Sequence, residues 1–341
     1  MNGKMKSAFG ILLAAAMALS LTGCKNGDEA SAEAAETFDS AGYESRIAEL
    51  ESQVESLKAE TSPNIGFKDK SDFILGKDNP AVSEAAAAKE EAMSDLPATI
   101  TIKGTEYSTD LTALTLNNME LTDEDIKDLK YMVNLTELHI YQNNISDLTP
   151  LKGLTNLQTL SLFKNNISDL TPLAGLVSLK DLYLRSNNIT DISALDGLLG
   201  LEVLDISENN VSDITPLAGM TEITLLRLND NAITDISALS SMQSMDRLHL
   251  QNNQISDITP VINMIDMTEI YLENNLISNV EPLMSLTSLG WIKLGGNPVS
   301  NLNPLTNLAG LKKLYIEGID ISDEDLTSLA DKLPDTTIVT K

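Results

Sequence analysis

The sequence predicts an α/β solenoid, a stack of near-identical coils that each contribute one short strand. Three observations carry this. From about residue 110 the chain repeats every 22 residues. At one point of every copy two apolar residues alternate with polar ones. An Asn then follows at constant spacing: Asn143, Asn165, Asn187, Asn209, Asn231, Asn253, Asn275 and Asn297. A period of 20–50 residues marks a repeat architecture, because one copy cannot cover its own apolar face and must stack on its neighbour.

One copy runs Leu160-Ser-Leu162-Phe-Lys-Asn165-Asn-Ile167-Ser-Asp169-Leu170-Thr-Pro172-Leu173-Ala-Gly-Leu176. Leu-x-Leu has the period of a strand, so both leucines face one side, the inside of the coil. The following Ile and the later Leu pair fill the same core from the other walls. The Asn stands where the chain bends and backbone amides would be buried. Its side chain donates and accepts, which suits a ladder linking successive coils. An acidic position keeps phase with it: Asp147, Asp169, Asp191, Asp213, Asp235 and Asp257, then Asn279 and Asn301, then Asp323. Such side chains cap the amides of a tight turn. Thr-Pro or Ser-Ala pairs open the returning segment, where Pro fixes φ.

This pattern resembles the 22-residue leucine-rich repeats of internalin-like bacterial surface proteins, over roughly residues 98–341. The resemblance implies a curved parallel β-sheet lining the concave face, short 3₁₀ turns on the convex face, and partner binding on the concave side. The chain departs from the internalins in its anchoring: the last repeat is followed by neither an Ig-like module nor a sortase tail.

The ends read as caps. Thr122-Asp-Glu-Asp125 and Ser322-Asp-Glu-Asp325 each precede an apolar-periodic stretch, and a hydroxyl at the N-cap with acids in the first turn suits a helix start. Calcium binding is the alternative use of these acids. The first copy is stretched to 24 residues between Leu114 and Leu138, and the last carries Ile319 in the Asn position. Ala98 to Ile102 alternate and are expected to add an edge strand at the first cap.

Residues 1–23 read as a secretory signal: Lys4 and Lys6, then an apolar run from Phe9 to Leu21, shorter than the ~20 residues a spanning helix needs. Leu21-Thr22-Gly23-Cys24 follows and resembles the lipobox of bacterial lipoproteins. That resemblance implies a diacylglyceryl group on Cys24, removal of the preceding peptide, and an extracytoplasmic protein held to the membrane by two acyl chains, the number a stable anchor takes. Cys24 is the only cysteine, so the chain has no internal disulfide. Residues 24–97 read as an acylated tether. Within it Tyr43, Ile47, Leu50, Val54 and Leu57 form one helical stripe over 43–58, either a solvated amphipathic helix or a short coiled coil giving weak homo-oligomers. Pro80 and Pro97 bracket an Ala-Glu helix candidate, counted with the tether.

The formal charge of −27 opposes nucleic-acid binding, which needs basic patches. Function is expected on the outward strand positions, which packing leaves free. Six of the eight aromatics after residue 97 fall there: Tyr141, Phe163, Tyr183, Tyr271, Trp291 and Tyr315. Exposed aromatics with Arg are hot-spot chemistry, although strands favour aromatics in any case. Two subsites suggest themselves: Tyr141, Phe163, Tyr183 and Arg185 near the start, and Tyr271, Trp291, Lys293 and Tyr315 near the end. Arg227, Arg247 and His249 lie between them, placed to meet an acidic group. The sequence thus predicts a binder of a protein or peptide, with a glycan binder or a self-assembling envelope component as alternatives. Catalysis is not expected. His139 and His249 are five copies apart, ~24 Å at ~4.8 Å per strand, too far to share a metal or a proton. Asp181 and Asp205 occupy adjacent copies but are offset by one column, and no cofactor motif appears.

Overall fold

The computed structural model describes residues 79–341. The signal 1–23, Cys24 and the candidate helix 43–58 lie outside the described residues.

The repeats form an eleven-stranded sheet whose strands lie in sequence order. It begins with β3 (Ala113–Thr115) and continues through β4 (Glu137–His139), β5 (Thr159–Ser161), β6 (Asp181–Tyr183), β7 (Val203–Asp205) and β8 (Leu225–Arg227). β9 (Arg247–His249), β10 (Glu269–Tyr271), β11 (Trp291–Lys293), β12 (Lys313–Tyr315) and β13 (Thr337–Val339) complete it. Every pairing is parallel and in register, Leu138 beside Leu160 and Leu160 beside Leu182. Short 3₁₀ turns return each coil, for instance Thr171–Leu173 and Thr259–Val261. The chain between strand and turn is too short for a helix. A Pro in the first turn fixes φ and has no N–H to lose. Leu and Ile from all walls of the coil make one continuous core.

Two sets of polar side chains hold the coils in phase. The ladder Asn of one coil bonds to the coil before it and to its own strand. Asn209 Oδ1 accepts the N–H of Ile189 at 3.0 Å, and its Nδ2 donates to Leu184 O and Ile206 O, both at 3.1 Å. The same exchange runs through Asn165, Asn187, Asn231, Asn253, Asn275 and Asn297. Asn143 starts it by accepting Met119 and Leu121 N–H. On the other wall the in-phase Asp accepts the N–H two residues on: Asp169 from Thr171, Asp213 from Thr215, Asp257 from Thr259, each at 2.8 Å. Hydrogen bonds from these threonines hold the three carboxyls below the usual carboxylate range.

The residue before each ladder Asn adopts left-handed backbone, from Gln142 and Lys164 through Asn252 and Asn274 to Gly296. This conformation aims the Asn side chain back under the strand. It recurs in coil after coil at non-glycine residues, a strain that the ladder bonds offset.

The first cap differs from the sequence expectation. Ala98–Ile102 does not extend the main sheet. Thr99–Ile102 (β1) pairs antiparallel with Thr105–Ser108 (β2) in a separate hairpin. Lys103 and Gly104 form its turn, both at positive φ, which a two-residue hairpin requires. Ile100 and Ile102 face the core. Asp123–Ile126 (α2) follows, with Asp125 accepting the Thr122 N–H at 2.8 Å. At the far end Ser322 caps Asp323–Lys332 (α3), its Oγ accepting Asp325 N–H. The acids of both motifs therefore act as helix starts. Asp123 also accepts Ser146 and Asp147 N–H, tying the cap to the first full coil.

The second difference concerns the tether. Pro80–Ser94 (α1) is the helix bracketed by the prolines, started by Asn79 Oδ1 accepting Ala81 N–H. It is not a free spacer, because it lies against the repeats. Ala85 and Ala92 are buried, Lys89 Nζ reaches Thr155 and Asn156, and Lys152 pairs with Glu84 at 2.7 Å. Gly153 and Gly175 seat it. A methyl at Gly175 would lie 2.5 Å from Ala85 Cβ and closer still to the Ala81 carbonyl. Neither glycine has positive φ, so the helix, not the backbone, requires them.

Two outcomes follow. Gly175→Ala unseats α1, so amides 81–94 lose hydrogen-exchange protection while the strands keep theirs; retained protection would mean the seat is not needed. Asn209→Ala leaves several buried backbone groups unpaired and lowers stability by about 3 kcal/mol. In denaturant titration that loss should exceed the loss in Asp235→Ala, which removes one rim bond to Ser237.

Candidate functional site

The in-register sheet sets its outward side chains in columns one strand spacing apart, ~4.8 Å. The first column holds Asp181, Arg247, Glu269, Trp291 and Lys313; the second holds His139, Tyr183, Arg227, His249, Tyr271, Lys293 and Tyr315. Just past the strands a third column continues with Tyr141, Phe163, Arg185, Gln251, Glu273 and Glu317. Tyr183 and Trp291 are half-buried on the sheet surface, not in the core. Ser161, Asp205, Ser207 and Leu225 sink below their neighbours and are buried. Sequence spacing could not foresee this, since it depends on the size of the flanking side chains.

Column spacing turns neighbours into stacks. Near the start Tyr141 lies on Phe163, ring centroids 4.0 Å apart and nearly parallel. Arg185 is drawn away from this pair: its Nε donates to Glu208 Oε1 at 2.9 Å, and Ser186 bonds the other oxygen of the same carboxylate. Near the end the second column forms a continuous ladder. From one neighbouring strand His249 stacks on Tyr271 at 4.3 Å, Lys293 Nζ on the other neighbouring strand lies 4.2 Å from the centroid of that ring, and the same Nζ is 5.3 Å from the Tyr315 ring. In the first column Lys313 Nζ lies 4.6 Å from the Trp291 ring. Tyr271 thus has both faces covered, and the ladder offers mainly ring edges and polar tips outward.

The middle of the face carries the polar chemistry. Arg227 Nη1 is 3.8 Å from Asp205, Lys293 Nζ 3.5 Å from Glu273, and Arg247 Nε 3.3 Å from Asp246. Among the described residues, the buried side-chain polar atoms lacking a hydrogen-bond partner are Arg247 Nε, His249 Nε2, Gln251 Oε1 and Glu273 Oε2. All four lie on β9, on β10 or just past them. Burial, reinforced by Arg227, Lys293 and Arg247, pushes the His249 imidazole down to about 4. Burial raises the Glu273 carboxyl, with Glu317 adding to the rise. Arg227, Arg247 and His249 stand out in the sequence, whereas Gln251 and Glu273 look like ordinary exposed polar residues until their neighbours cover them.

The two histidines lie on β4 and β9, five strands apart. His139 is 2.6 Å from Glu137. Asp181 bonds Thr159, and Asp205 bonds Ser207. Among the described residues no three His, Cys, Asp or Glu side chains converge as a metal site, and no helix is long and apolar enough to cross a membrane.

The family profile described as Leucine Rich repeats (2 copies) matches five overlapping windows: residues 155–197, 177–219, 199–241, 221–263 and 243–285. Solved structures similar to this chain include an internalin C2 of Listeria monocytogenes, at 30% identity over 76% of this chain and 100% of that one, TM-score 0.46. A leucine-rich-repeat protein of Leptospira interrogans aligns at 21% identity over 66% of this chain and 59% of its own, TM-score 0.61. The ectodomain of the Arabidopsis thaliana receptor kinase GASSHO1/SCHENGEN3, solved in complex with Casparian strip integrity factor 2, aligns at 19% over 68% and 35%, TM-score 0.55. The last two share the fold, and this chain spans 59% and 35% of their lengths. No protein of curated function matches this chain in sequence.

An NMR titration of His249, assigned by His249→Gln, should place its pKa near 4. The sign follows from linkage. Between about 6.5 and about 4 the unfolded chain binds a proton that the folded imidazole does not, so this group lowers stability as pH falls through that window. Titration in the ordinary histidine range would show that the imidazole is not desolvated.

Proposed function

We propose that this leucine-rich-repeat protein is an internalin-like, cell-envelope-anchored binding module that captures a protein or peptide partner on its concave face. The observation that carries the reading is the concentration of hot-spot chemistry on one surface. From residue 79 onward every Arg, both His and the single Trp lie in the concave columns. That stretch has 15 basic and 37 acidic residues, yet the columns from β4 to β12 hold five cations and six acids. A nearly neutral, aromatic and Arg-rich patch on an acidic body is suited to a specific interface, because surrounding like charge keeps other surfaces apart. The fold neighbour from Arabidopsis was solved with a protein ligand, which supports the same use of a leucine-rich-repeat ectodomain.

The stacked ladder favours a protein or peptide over a glycan. Sugars stack on open ring faces, and Tyr271 has none, lying between His249 and Lys293. Ring edges, hydroxyls and the Lys293 ammonium are what a polypeptide surface engages. The remaining parts rest on the sequence alone. Residues 1–23 direct secretion, Cys24 carries the diacylglyceryl anchor outside the cytoplasm, and residues 43–58 are where weak self-association would arise. Catalysis forms no part of the reading.

The test is capture of surface proteins by the acylated protein and by a triple variant, Tyr271→Ala, Trp291→Ala and Tyr315→Ala. Captured partners should be lost while circular dichroism and melting change little, since all three side chains lie outside the core. Capture that survives the triple change rejects the concave site. In the same cells Cys24→Ser should move the protein from the membrane fraction to the medium, and retention in the membrane would reject the anchor.

A further inference from the structure

Four buried polar atoms without a hydrogen bond are an expensive thing for a native structure to keep in one place. A stray orphan occurs in most folds, but a cluster calls for an explanation. Here the cluster has a polarity. Along β9 the Arg247 donor and the His249 ring nitrogen come first, and the acceptors follow, at Gln251 and at Glu273 on the next coil. Arg227 stands beside His249 on β8, and Lys293 stands two strands away in the same column.

The three cations hold their acids loosely, as Lys103 does at 3.4 Å from Asp125, where other pairs close tightly. Lys152, Lys180 and Arg185 hold their carboxylates at 2.7–2.9 Å. Arg227 and Lys293 stop at 3.8 and 3.5 Å from theirs. Arg247 Nε, although 3.3 Å from Asp246, makes no hydrogen bond. Donors held this loosely, half-sunk among aromatic rings, are poised to be completed from outside.

We propose that Arg227 and Arg247, flanking His249, form a carboxylate-binding centre that receives an Asp or Glu side chain of a peptide partner, with Lys293 beyond the Tyr271 ring adding its charge at longer range. This rests on the concave face being the binding face. In the tautomer that carries its proton on Nε2, a neutral His249 adds a donor without adding repulsion among the cations. The acceptors Gln251 and Glu273 then meet main-chain N–H groups of the same segment. Arg247 to Gln251 is four residues along the strand direction, about 13 Å, so about four extended residues of the partner cross the face here. The acidic body repels polyanions at long range, so the centre admits an isolated acid in a neutral setting.

The probe is the peptide acetyl-Gly-Tyr-Glu-Tyr-Gly-amide with a twin carrying Gln for Glu. Titrated into the intact 24–341 chain, the Glu peptide should shift the His249 imidazole resonance saturably and raise its pKa from about 4, since a bound anion offsets the surrounding cations. The twin should bind at least tenfold more weakly. Arg227→Gln with Arg247→Gln should lower affinity at least tenfold, Arg227→Lys should restore part of it in the single-site background, and Lys180→Gln should change nothing. Equal binding of the twins, or an unmoved His249, overturns the centre. If that happens while the triple aromatic variant still loses capture, the binding face stands without this centre. If the aromatic variant captures normally, the face itself is wrong, whichever way the peptide behaves.

Discussion

The structure depends on keeping successive coils in register. No coil can bury its own Leu-x-Leu face, and an error of one residue would turn the apolar set outward. Apolar packing is non-directional, whereas hydrogen bonds fix which groups must meet. Each ladder Asn bonds N–H and C=O groups of two coils at once, inside the core, where a missed partner costs more than a missed contact. That requirement forces left-handed backbone at the preceding residue, coil after coil. The period of 22 is therefore the length at which the Asn can reach its neighbour, not only the length that fills the core.

The same register creates the concave surface. Side chains in one column stand a strand spacing apart, close to the thickness of a stacked ring. Tyr141 on Phe163, and His249, Tyr271, Lys293 and Tyr315 in series, are direct consequences. A surface built this way is preorganised, because each ring is held by its neighbours. It is also edge-presenting. At Tyr271 the neighbours on both sides take up the ring, which narrows what this part of the surface binds.

Electrostatics and desolvation reinforce this. All three arginines of the described residues lie on one face, and the acid neighbours of Arg227 and Lys293 approach without closing on them. Half-burial keeps the pairs from being screened by water, and it also depresses His249 and raises Glu273. The convex side follows a different logic. There α1 is seated through Ala on Gly, with small areas and close backbone approach, so its attachment depends on shape more than on apolar burial.

The sequence by itself determined the coil, its period, the Asn ladder, the capping Asp and the membership of each outward column, because all of these are fixed by residue type at constant spacing; the 3₁₀ return came from the family resemblance. It also located α1 between its prolines and the helix starts at Thr122 and Ser322. Tertiary structure alone decided what those elements touch. The stretch at Ala98–Ile102 pairs with its own hairpin because Lys103-Gly104 turns the chain back before it can reach the sheet. The helix assigned to the tether rests on Gly153 and Gly175, a fit between surfaces that no local pattern encodes. Which polar groups on the concave face lose water and partners is likewise set by side chains arriving from coils 22 and 44 residues away. Burial is a property of neighbours, and a one-dimensional period names the neighbours without giving the space left between them.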